Sequence, residues 1–100
     1  MSSATLGRAT RVTKRRMRPR SELKRELVNV LRAKFPHDTI DISDGFEGSI
    51  HVLVVSRVFD KLAERGRYSY LWKIIQRAGF SEPENDSITV VVGVSPRELI

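Results

Sequence analysis

Apolar residues along the chain follow two different spacings, and the change from one to the other marks out the elements. Leu23, Leu27, Val30, Leu31 and Phe35 recur at i, i+4, i+7, i+8 and i+12, which is one face of a helix. Lys24, Arg25, Arg32 and Lys34 take the other faces, and Pro36 stops the helix. Ser21 is the expected N-cap, with Glu22 placed to complement the helix dipole. The period then shortens to two. Thr39–Ser43 reads as a strand with Ile40 and Ile42 inward and Asp41 outward. Asp44-Gly45 signals a turn, and Gly48 adds a second permissive residue.

Ser49–Ser56 is the strongest strand, apolar on both faces after His51, as a central strand covered by helices is expected to be. It is expected to form a hairpin with the strand before it. Phe59 to Ala78 is a second helical region. Leu71, Ile74, Ile75 and Ala78 define its apolar face, which Leu62 and Tyr68 extend upstream. Gly66 weakens the helix by roughly 1 kcal/mol relative to Ala, so the regular helix is expected to start between Lys61 and Arg67. Gly79 fits a left-handed position after the helix, with Phe80 closing the cap. Ser81–Asp86 reads as an acidic loop, and Ser87–Val94 as a third, β-branched strand ended by Pro96. The order αββαβ predicts an α+β two-layer sandwich, three strands covered on one face by two helices. Residues 21–100 form the single domain in this reading, and residues 1–20 a basic, disordered tail without apolar periodicity.

Charge is unevenly placed. The net charge is +6. Residues 1–20 hold Arg8, Arg11, Lys14, Arg15, Arg16, Arg18 and Arg20 with no acid, so the tail is +7 and the remainder −1. The tail, including Arg15, Arg16 and Arg18, is therefore the direct signal for a polyanionic partner, with strong salt dependence expected. Two alternatives stand beside it: a role in binding nucleic acid, or a solubilising extension. Arg65, Arg67 and Lys73 offer cations beside Tyr68, Tyr70 and Trp72, the rings on which bases stack. On a helix Tyr68 and Trp72 share a face that Tyr70 does not, so part of this set belongs to the core.

The absence of cysteine excludes disulfides, thiolate zinc sites, cluster ligation by this chain's own thiolates and cysteine catalysis. His37 and His51 have no metal spacing, and no serine sits in a nucleophile elbow. No catalytic residue, metal site or cofactor is expected, and the chain reads as a non-enzyme. Gly45-Phe46-Glu47-Gly48 matches the GxxG pattern of KH domains. It lies between strands rather than helices, and Glu47 would repel a phosphate, so a hairpin loop is the better reading. No apolar run reaches membrane-spanning length, and no signal-peptide core stands at the N-terminus, so a cytoplasmic location without membrane contact is expected.

Within this order, Val54-Val55-Ser56, then Phe59, then Arg65-Gly66-Arg67 resembles the BolA-like family, whose fold is a variant of the type II KH arrangement. That family has a strand ending V-V-S, a Phe, and a segment reaching R-H-R before a helix. Ser95-Pro96-Arg97-Glu98 resembles its T-P-x-E ending, and the likeness extends over about residues 21–99. The resemblance implies a nucleic-acid-binding or regulatory module, or alternatively an adaptor for a monothiol glutaredoxin-like protein. Gly66 stands where the family has histidine, and Ser87-Ile88-Thr89 replaces the region of the family's cluster-ligand histidine. The family's iron–sulfur ligation is therefore not carried over. The fold and the Arg65/Arg67 surface are.

Overall fold

The computed structural model describes residues 16–99. Helix α1 (Arg20–Lys34) leads into β1 (Thr39–Asp44) and β2 (Ile50–Val55). Helices α2 (Glu64–Arg77) and α3 (Glu82–Ser87) follow, then β3 (Ile88–Val94). Single 3-10 turns occupy Phe46–Gly48, Arg57–Lys61 and Pro96–Leu99. The sheet order is β1-β2-β3, with β1 antiparallel and β3 parallel to β2. The chain is thus α+β, a three-stranded mixed sheet with helices layered on it, as the αββαβ pattern predicts.

The apolar stripe of α1 becomes its buried face. Leu23, Leu27, Leu31 and Phe35 are sealed against Ile50, Val52 and Val54 from β2 and against Leu71, Ile74 and Ile75 from α2. Val30 packs partly buried beside them. Phe59 is fully buried at the turn after β2, with its ring 5.9 Å from Phe35 and 6.2 Å from Tyr70. A Cβ on Gly93 would meet the Phe59 ring at 3.0 Å, so any larger residue there would have to push the buried ring aside.

Several boundaries differ from expectation for identifiable reasons. Ser21 does not cap α1. The helix starts at Arg20 behind Pro19, whose φ of −53° leads into it and whose carbonyl accepts from the N–H groups of Glu22 and Leu23. The Ser81–Asp86 segment is not a loop but the start of α3. Ser81 Oγ accepts from Glu84 N–H while the Glu84 carboxylate accepts from Ser81 N–H, a reciprocal capping box. Gly79 does take the left-handed φ, 76°, with Phe80 buried after it. The helices cover only one face of the sheet. On the other, Leu53 and Val55 of β2 stand beside Val92 and Val94 of β3, and Val90 and Val92 are exposed. The second apolar face of β2 is therefore left open, because both long helices pack on the side of Val52 and Val54.

Candidate nucleic-acid interface

Arg65 and Arg67 are separated by one residue and have opposite fates. Gly66 puts no side chain between them, and a helix turns them about 200° apart. Arg65 is exposed. Arg67 is buried, 9% exposed, and hydrogen-bonded inward: its Nε donates to the Leu62 carbonyl at 2.8 Å and its Nη1 to the Gly93 carbonyl at 3.1 Å. Nη1 also meets Glu98 Oε1 at 2.7 Å, tying the last turn of the chain to the β2–α2 junction. This contact holds the Glu98 carboxyl below the usual carboxylate range, helped by the Ser95 N–H. The expectation of Arg67 as a surface cation is therefore corrected. Its donors saturate carbonyls that the fold leaves unpaired.

A second arginine proposed for binding is also engaged. Arg18 donates from Nε to Glu84 Oε2 at 2.8 Å and from its backbone N–H to the same oxygen at 3.0 Å. Its guanidinium lies 5.6 Å from the centre of the Phe80 ring. Burial alone would raise the Glu84 carboxyl, but hydrogen bonds from the Arg18 side chain, Arg18 N–H and Ser81 N–H outweigh it and hold the pKa at about 2. The Arg18 guanidinium is stabilised in turn, its pKa raised by the same hydrogen bond against a smaller opposing effect of burial. Arg18, which the sequence places in the tail, is thus bound to α3. Arg20 sits 3.6 Å from Asp44. Arg16 is exposed, and Arg15 lies outside the described residues.

The remaining candidates converge on one side of α2. Tyr68 and Trp72, four residues apart, stand edge to face with centroids 6.1 Å apart. Tyr70 points the other way, 6.2 Å from both Phe35 and Phe59. Tyr68, Trp72 and Lys73 line one wall of a groove, and Asn85, Ile88 and Thr89 the opposite wall. A second hollow continues it past Tyr68, between Arg65 and residues Val91 to Gly93 of β3. Together they follow the edge of β3, which pairs only with β2 among the described residues. Glu64 and Asp86 line the same track. The folded part is nearly neutral, and the excess positive charge lies in the N-terminal segment.

No family model, curated protein or solved structure matches this chain. Among the described residues no group of three or more His, Asp or Glu side chains could hold a metal ion, and no helix is long and apolar enough to cross a membrane. The GxxG segment forms the hairpin turn, where Glu47 adopts a φ of 53° and Gly48 one of 81°. Sequence reasoning missed Asn85 and Glu84, both on α3. The S-x-x-E signature of Ser81 and Glu84 was the signal that would have found that helix.

Proposed function

We propose that this chain is a non-enzymatic, cytoplasmic binding module of BolA-like type that takes nucleic acid along the groove between α2 and the edge of β3. The observation that carries this reading is the gathering of Tyr68, Trp72 and Lys73 on one wall of that groove, with Arg65 at its continuation. Exposed rings beside cations bind nucleic acid by stacking and charge together. The basic residues 1–16 supply the sequence-independent attraction that a nearly neutral domain lacks. Arg67 and Arg18 serve this surface only indirectly, by holding the segments around it.

The test is fluorescence anisotropy of a labelled oligonucleotide with the full chain at two salt concentrations, repeated with Tyr68→Ala. Binding that weakens with salt and falls at least several-fold in the variant is expected. Salt-sensitive binding that Tyr68→Ala leaves unchanged would place the interaction in the N-terminal segment alone.

A second reading, an adaptor for a monothiol glutaredoxin-like protein, draws on the open sheet face. Leu53, Val55 and Val90 form an apolar surface on the sheet face away from the helices, suited to protein rather than nucleic acid. Val90→Asn would weaken such a contact while leaving oligonucleotide binding intact. A pull-down with such a partner that is insensitive to Val90→Asn would contradict it.

A further inference from the structure

Two polar atoms in the groove wall have no hydrogen-bond partner: Trp72 Nε1, a donor, and Asn85 Oδ1, an acceptor. They belong to opposite walls of the same groove. Both are closed off from solvent, and a buried polar atom without a partner is destabilising. The Asn85 amide cannot simply be turned round. Its Nδ2 donates to the Phe80 carbonyl at 3.2 Å, and reversing it would set two oxygens against each other. The indole nitrogen can only donate. The rest of the Trp72 ring is partly buried against the core, so the side chain is held where its N–H stays unpaired. The groove walls thus hold one unpaired donor and one unpaired acceptor, covered in the free protein, beside the exposed ring of Tyr68.

We propose that Trp72 Nε1 and Asn85 Oδ1 read the hydrogen-bonding edge of an unstacked nucleobase, which makes the groove selective for single strands over duplex. This rests on the nucleic-acid reading above and deepens it. Every standard base carries a donor and an acceptor side by side on its pairing edge, and in a duplex both are already engaged. A base against Tyr68 offers its acceptor to the indole N–H and its donor to the Asn85 oxygen. Reaching them requires the two walls to part slightly, and two unpaired polar atoms favour that movement by gaining partners. The phosphates meanwhile face Lys73 and Arg65, which line the groove and its continuation.

The test compares three labelled oligonucleotides of one length with the full chain: a single strand, its duplex, and a strand of abasic sugars. Trp72→Phe, which keeps an aromatic ring but removes the N–H together with the second ring of the indole, is measured against each. The single strand is expected to bind about tenfold more tightly than the other two. Trp72→Phe is expected to erase most of that preference while leaving binding of the abasic strand unchanged. Asn85→Ala, which removes the acceptor, is expected to lower the preference in the same direction. Equal binding of single strand and duplex, unaffected by Trp72→Phe, overturns this inference and leaves the nucleic-acid reading standing. A single-strand preference that Trp72→Phe leaves intact overturns it too, assigning the N–H to a structural water. No binding of any oligonucleotide overturns both. The abasic strand keeps the inference falsifiable if a variant fails to fold, because it removes the base edges from the ligand instead.

Discussion

Two arginine–glutamate pairs hold the two ends of the described residues to the body of the fold, and they are built in opposite senses. At the N-terminal end the glutamate is buried: the Glu84 side chain is 3% exposed and its partner Arg18 is 36% exposed. At the C-terminal end the arginine is buried: the Arg67 side chain is 11% exposed and that of Glu98 51%. Each buried member also bonds to backbone that needs it. Glu84 accepts from Ser81 N–H to cap α3, and Arg67 donates to the carbonyls of Leu62 and Gly93. The exposed members hold only a terminal segment in place. Burial, rather than charge, therefore decides which arginine belongs to the fold. Along the groove, the cations with no such duty among the described residues are Arg65 and Lys73.

Loss of Arg67 has the largest expected effect. Arg67→Ala orphans two carbonyls and opens the β2–α2 junction, at a cost of about 3–4 kcal/mol in urea denaturation. A loss below about 1 kcal/mol would mean that water replaces the guanidinium and that the junction is not held by it. Glu84→Gln comes next, at roughly 2 kcal/mol, because an amide keeps the shape but weakens both the cap and the bond to Arg18. Arg18→Ala should cost less than Glu84→Ala, since the carboxylate it abandons still has Ser81. The reverse order would break the comparison.

Acid sharpens the same contrast. Glu84 has a pKa of about 2 in the fold against an ordinary 4.5, so the folded state favours its ionised form. The stability from this group is complete above pH 4.5 and is lost as pH falls towards 2. Glu98 is lowered too, so its contribution has the same sign. Its exposure makes that contribution the smaller one. Thermal melts from pH 5 to pH 2 should therefore flatten more with Glu84→Gln than with Glu98→Gln. The smallest expected change is a gain. Gly66 has ordinary helical space, with Leu62 side-chain atoms no closer than 3.7 Å to an added Cβ. Gly66→Ala should thus stabilise by about 0.5–1 kcal/mol and show that this position needs no glycine. Destabilisation would mean that Arg67 needs a looser helix start to reach Gly93.

Much of the fold is legible in the chain because its signals are periodic. The stripe from Leu23 to Phe35, the alternation through β1 and the β-branched run of β3 each have one physical reading, and Gly79 ends α2 as its lack of a Cβ allows. What stayed hidden depends on partners distant in sequence. Arg18 finds Glu84 66 residues away and Arg67 finds Glu98 31 residues away, and nothing local marks either pair. At the site, the shared face of Tyr68 and Trp72 follows from helical spacing. The opposite wall does not, because Asn85 reaches it only once Ser81 and Glu84 have capped α3. Arg67 misled for a related reason: beside Arg65 it reads as part of a basic patch, and only the passage of Gly93 shows where it goes.

The central claim is that the groove, rather than the N-terminal segment alone, binds nucleic acid. The most direct measurement is the affinity of a single-stranded oligonucleotide for the full chain and for Arg65→Glu/Lys73→Glu, with circular dichroism to confirm the fold. Both residues are exposed and neither joins an ion pair among the described residues, so the fold should be unchanged. The account predicts a loss of at least about tenfold in affinity and a shallower salt dependence, since two phosphate contacts are removed. Equal affinity and an equal salt slope in the two proteins would contradict it.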